Sequence, residues 1–318
     1  MTATNTSSLW FGLAWLLLTT LVFVLPLLPA LRELYSRSDA DALEIDHLDN
    51  GRTDYDAQRA LERLPLLEDM PRIAQWEHDN RGYLVVPRGQ TRLTCKTGRP
   101  LVMGFRAQAR TLISADTVEM QANSVVKRIL HAKNIHCLGP VILARKTSAV
   151  RNIVLSPGTR FQRLAANCIF TWPLKRHIGF PIQNIGEGMP LTVLQRRHSG
   201  DLYIAAGTLV QGGLVITGNL SMGEGAVVLG HIKVHGEAAL ARGACVKGAL
   251  FALDGIRTAG NNYIEGPLSA GSNLRLGANS QIGNKQVPSS TSAWTIQLEA
   301  SVRIYGSLSA VRLGEVLL

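Results

Sequence analysis

His231 and His235 are the residues of this chain best suited to serve as a general base, and acyl transfer is the chemistry such a base would drive. A histidine beside a glycine corner is also a common solvent-facing filler, so neither residue defines a site alone. Polysaccharide cleavage needs clustered carboxylates, often with calcium. Beyond residue 80 the only aspartates are Asp116, Asp201 and Asp254, and they are dispersed. Metal ligation has little to draw on, because Cys95, Cys137, Cys168 and Cys245 form no CxxC pair and have no histidine at ligand spacing. His136 adjoins Cys137, but neighbours on a strand point to opposite faces and cannot hold one ion. The cysteines read as small core residues, and neither a cofactor nor a metal is expected.

What positions these residues is a repeat. Residues 202–285 divide into fourteen successive hexads, starting LYIAAG, TLVQGG, LVITGN. The third column reads Ile204, Val210, Ile216, Met222, Val228, Val234, Leu240, Val246, Ala252, Thr258, Ile264, Ala270, Leu276 and Ile282, apolar in all but Thr258. Two inward residues flanking one outward residue make a short strand. All sixteen glycines of this stretch fall in columns four to six, where each corner must lie. A six-residue period does not match the 3.6 of a helix, and glycine at this density would cost about 1 kcal/mol per helical position. The pattern predicts a β-solenoid, whose hexads stand only by stacking.

The middle third repeats this grammar with little glycine. Inward pairs at Leu101/Met103, Ala107/Ala109 and Ile113/Ala115 open coils that restart at Val118 and Ile135, each seventeen residues on, with Ile153 opening the next. Its corners would use Asn123, Asn134 and Asp116. Residues 172–200, with Pro173, Pro181 and Pro190, interrupt the rhythm as an insert or joint.

Residues 9–31 carry no ionisable side chain, and a helix of that length rises about 34 Å, enough to cross a hydrocarbon layer of roughly 30 Å. The expected membrane anchor includes Trp10, Trp15, Leu16, Leu17, Leu18, Val22, Phe23 and Val24, with the tryptophans at the interface. Arg32 and Arg37 follow it, which places the bulk of the chain in the cytoplasm. The expected organisation is an anchor at 1–38, an acidic spacer at 39–82 with a short helix over 56–67, a first stack at 83–171, the insert at 172–200, a second stack at 201–285, and a closing coil or cap at 286–318.

Charge is divided as sharply as sequence. Residues 1–80 hold six Lys/Arg against thirteen Asp/Glu, residues 81–197 nineteen against three, and residues 198–318 eight against seven. Lys127, Arg128, Lys133, Arg145, Lys146, Arg151, Lys175 and Arg176 form a candidate patch for an anionic partner. With no aromatics interleaved, nucleic acid is not favoured; anionic lipid or an acidic polymer suits the patch better.

The stretches GDLYIAAGTLVQGGLVITGNL and GEGAVVLGHIKVHGEAALARGACVKGALFA resemble bactofilins, a family of bacterial cytoskeletal proteins. The resemblance covers residues 101–285 apart from the insert. It implies a mainly β fold, a three-sided right-handed β-helix, here following an N-terminal transmembrane helix. It further implies a non-enzymatic scaffold at the inner membrane that self-associates and recruits proteins of envelope synthesis or cell shape. The chain departs from the family in its membrane span, its second, irregular stack and its insert, and a closing cap would cover the apolar end on which polymerisation depends. The rival family is the hexapeptide-repeat acyltransferases, with a left-handed β-helix, for which His231 and His235 would be the bases.

Overall fold

The structure, a computed structural model, describes residues 6–25, 77–86, 94–173, 191–193 and 197–317. The chain divides into two units, Met1–Arg52 and Thr53–Leu318. In the first, Thr6–Val24 is a helix. Its apolar part runs only from Leu9 to Val24 and rises about 24 Å, because it opens on Thr6, Ser7 and Ser8. Among the described residues no helix is long and apolar enough to cross a membrane, so the expected span is not met there. Residues 26–31, which would complete the run, lie outside the described residues, as do most of the acidic spacer and its expected helix. Within the helix, Thr20 Oγ1 donates to the Leu16 carbonyl at 2.7 Å and Thr19 Oγ1 to that of Trp15, so both hydroxyls are satisfied internally.

The second unit is mainly β, a solenoid of about eleven turns with three strands to a turn. In the second stack the strands pair in parallel with those eighteen residues on, Leu202 with Leu220, Ala238 and Ile256, Leu209 with Val227, Cys245 and Tyr263, and Leu214 with Ile232, Leu250 and Leu268, until the last strands reach the closing coil, where Leu268 pairs with Thr291 and Gln281 with Arg303. All fourteen third-column residues are buried. The polar exceptions in the inward columns are themselves informative. Thr258, Asn262 and Ser280 gather at one corner, where Asn262 Nδ2 donates to the carbonyls of Ala241 and Ala244 and Asn262 Oδ1 accepts from Gly260 N–H. Thr258 Oγ1 there accepts from Gly277 N–H at 2.9 Å. A buried polar residue is tolerated because its groups are paired.

The glycine corners divide into two kinds. At Gly225, φ is +64° with open space around the missing Cβ, so glycine supplies a left-handed conformation. At Gly271 φ is not positive, but a Cβ would lie 1.9 Å from the Leu253 carbonyl oxygen of the preceding coil. Eight of the sixteen corner glycines, Gly271 among them, are of this kind: the coils approach too closely for any side chain, which is a different reason from backbone strain.

The first stack keeps three strands per turn with seventeen-residue steps, Leu84 to Leu101 to Val118 to Ile135, then eighteen to Ile153. Strands here run through corners: Val125–Cys137, Lys146–Leu155 and Arg160–Thr171 each bend across two or three faces. A register shift between Ala109 and Thr111 sets two residues against one. It moves Leu112 and Ser114 inward, and Ala115 is exposed, so the expected inward pair Ile113/Ala115 is out by one position. Asn123 does turn a corner at φ +60°, whereas Asn134 and Asp116 hold no positive φ.

The two stacks meet at an antiparallel junction. Strand Arg160–Thr171, the last of the first stack, pairs with strand Arg303–Val316, the last of the second: Leu164 faces Leu308 and Ile169 faces Ile304. One apolar core therefore runs through both stacks, between Leu84 and Val316. The closing coil caps no free end; it is internal, covered by the first stack. The described ends of the insert lie at opposite ends of the second stack. The Pro173 carbonyl accepts from Ser301 Oγ, while Leu191 pairs with Leu209, six strands away or about 29 Å.

Candidate functional site

The catalytic candidates are not brought together. His231 Nδ1 accepts from the Ala249 N–H of the next coil at 3.0 Å. That bond puts the ring proton of the neutral imidazole on Nε2, where it is a donor and no base. The same corner role falls to Asp201 Oδ1, which accepts from Asn219 N–H, and to Asn219 Oδ1, which accepts from Glu237 N–H. His231 thus takes part in corner capping between coils. His235 is exposed, and Asp116, Asp201 and Asp254 lie on different coils. Among the described residues no three His, Cys, Asp or Glu side chains converge on a point where a metal could sit.

The four cysteines are unpaired and buried. Burial pushes the thiols of Cys95, Cys137 and Cys245 up to about 12 and that of Cys168 to about 11, which removes thiolate chemistry near neutral pH. Cys245 is the exception in placement. With Leu209, Val227 and Tyr263 it forms a second apolar cluster from the outward column of one face. The eighteen-residue apolar ladder responsible was legible in the sequence, yet the alternation rule assigned it to solvent.

The basic patch divides by geometry. On one face of the first stack Ile129, Lys146, Arg163 and Ser309 stand side by side on four successive strands, the last belonging to the closing coil. Arg128 and Arg145 precede Ile129 and Lys146 at the adjoining corner. These four cations, with Gln162, Ser309, Ala310 and Val311, line a cleft of about 500 Å³. Lys127 lies at the same corner outside the cleft. Lys133 and Arg151 occupy the opposite corner, roughly 16 Å further along the strands, and Lys175 and Arg176 lie outside the described residues. Arg163 was not singled out in the sequence; the seventeen-residue step from Lys146 would have found it.

Like charges on neighbouring strands repel. Among the described residues Arg128, Arg145 and Arg163 enter no ion pair, although five pairs form elsewhere in the solenoid. The acid that could neutralise the first stack is used near its start. Glu119 accepts from both Nη atoms of Arg81 at 2.9 and 2.6 Å, and Arg81 Nε donates to Asp79. The hydrogen bonds that Arg81 donates to Glu119 and then to Asp79 raise its pKa further.

A second cavity adjoins the cleft. It holds about 180 Å³ and is walled by Ile129, Leu164, Ala165 and Leu308, with Thr147, Ser148, Ser307 and the shared Lys146, Arg163 and Ser309 at its rim. Ser148 Oγ is bonded to His131 Nδ1 at 2.8 Å, which holds the wall of this cavity. Both cavities lie at the junction, so they exist only where the two stacks meet.

Compared with protein-family models, curated proteins and solved structures, the chain matches none.

Proposed function

We propose that this chain is a non-enzymatic scaffold, bactofilin-like in its right-handed, three-sided winding, held at a bacterial inner membrane with its solenoid in the cytoplasm. The observation that carries the reading is the single core running through both stacks. Such a body presents long, rigid ladders of outward residues to partners. The likeness to bactofilins rests on the rhythm of the hexads alone. Support for an anchor comes from the helix Thr6–Val24, on which Trp10, Trp15, Leu16, Leu17, Leu18, Val22, Phe23 and Val24 are all exposed. A helix apolar on every side needs an apolar surrounding. The partners in this reading are the membrane, other copies of the chain, proteins of envelope synthesis, and an anionic lipid or acidic polymer on the basic face.

Fractionation of bacteria expressing the full chain, together with electron microscopy of the purified protein, tests the proposal. Sedimentation with inner membranes that is lost on deleting residues 1–38, with assemblies larger than a monomer, is the expected result. A freely soluble, monodisperse full chain would overturn it, as would acyl transfer that disappears in His231→Ala or His235→Ala.

A further inference from the structure

The basic cleft and the apolar cavity lie side by side at the junction and share Ile129, Lys146, Arg163 and Ser309. From this arrangement we infer that the junction is a binding site for one molecule of a phosphorylated lipid, its phosphate among Arg128, Arg145 and Arg163 and the start of one chain against Ile129 and Ala165. The inference narrows the anionic-partner part of the proposed function to one place and one ligand chemistry.

Three features carry it. Arg128 lies on strand Val125–Cys137, Arg145 at the bend just before the neighbouring strand Lys146–Leu155, and Arg163 on the strand after that, and none of the three has an acidic partner among the described residues. Like charges side by side repel, an anion among them relieves that repulsion, and guanidinium forks match phosphate oxygens. The cleft, at about 500 Å³, exceeds what a bare phosphate would fill. The adjoining cavity, about 180 Å³, has room for roughly six groups the size of a water molecule, and its walls offer mainly apolar surface. A free inorganic anion would leave that surface unused, whereas an amphiphile covers both.

Dihexanoyl phosphatidic acid, a short-chain lipid that stays monomeric in water, is the probe. It would be titrated against the full chain held in nanodiscs of neutral phosphatidylcholine. Dihexanoyl phosphatidylcholine and inorganic phosphate form the other arms, and the midpoint of thermal unfolding of the solenoid is the readout. The expected order is a clear upward shift with the phosphatidate, a shift at least tenfold less sensitive to concentration with phosphate, and none with the neutral lipid. Arg145→Gln with Arg163→Gln should weaken phosphatidate by about tenfold or more. Ala165→Leu, which fills the tail cavity, should weaken phosphatidate while leaving the phosphate response unchanged. Equal responses to phosphate and phosphatidate, or no response to either, overturn the inference. If the double variant loses neither, the site lies elsewhere. Binding of the full chain to anionic vesicles that survives Arg145→Gln with Arg163→Gln would refute this site while leaving the anionic-partner reading intact.

Discussion

The two stacks solve one geometric problem with different chemistry. In the second, strands of two to four residues end at glycine corners pressed against the coil below. In the first, glycine is scarce and its last three strands, of ten to thirteen residues, bend through the corners, absorbing the change of direction in register shifts. A sharp corner brings backbones close and excludes side chains; a bulged corner spreads the turn and admits them. Arg110, Lys127, Arg128 and Arg145 all sit at such a corner, so the choice of corner decides where the molecule can carry charge.

The comparison predicts unequal sensitivity to added side chains. Gly271→Val forces a branched side chain into the Leu253 carbonyl and should cost about 4 kcal/mol or more, read as the loss of urea resistance. Gly104, in the first stack, would place its Cβ at 3.6 Å from the nearest atom, and Gly104→Ala should change stability by about 0.5 kcal/mol at most. A comparable loss from both substitutions would break the distinction between the two kinds of corner.

Leu308 tests whether the stacks are one cooperative body. It is fully buried at the junction opposite Leu164, and Leu308→Ala should cost about 3 kcal/mol. The expected calorimetric signature is one transition dividing into two as the stacks uncouple. A single transition shifted intact would show that cooperativity comes through other contacts.

Alkaline pH should weaken the first stack more than the second. A thiol whose folded pKa is raised to about 11 or 12 is held neutral in the fold while the unfolded chain ionises, so its contribution is intact below about pH 8.5 and falls as pH rises towards the folded value. Each thiol can withdraw about 1.4 kcal/mol per pH unit over that window. Three of the four belong to the first stack. Hydrogen exchange at pH 8 and pH 10 should show the larger loss of protection in residues 94–171; equal losses would contradict it.

Smaller effects sharpen the same contrast. Gly225→Ala places a Cβ in open space but in a left-handed conformation, at a cost of about 1 kcal/mol in thermal or urea melts. Below that stands Asp79. Some desolvation opposes its ionisation, but hydrogen bonds from the Tyr83 and Arg81 backbone and from the Arg81 side chain prevail and hold its pKa below the usual value. Its contribution is therefore present above the unfolded carboxyl pKa of about 3.9 and is lost as pH falls through the folded one. Asp79→Asn should flatten the acid limb of the stability curve slightly.

The second stack was legible almost residue by residue, because a six-residue period with glycines in fixed columns fixes which residues turn inward, and every third-column residue is buried. The first was legible in its coil starts but not at Ile113, where a bulge slipped the face by one; periodicity cannot see an extra residue opposite a single partner. The junction was illegible. Nothing in the spacing of Arg303–Val316 announces that it pairs antiparallel with Arg160–Thr171, since both read as ordinary alternating strands. The candidate cleft inherits that limit: Arg128, Arg145 and Lys146 were visible as charges, but the cavity they share depends on a pairing across more than a hundred residues.

Synthesis from the ribosome gives that pairing a temporal meaning. The strand ending at Thr171 emerges some 130 residues before the strand that will cover it begins at Arg303. At about 5–20 residues per second the nascent first stack keeps an open, apolar rim for roughly 6–26 s. A cell making this protein has to shield that rim from its neighbours on the same polysome until strand Arg303–Val316 is made and closes it.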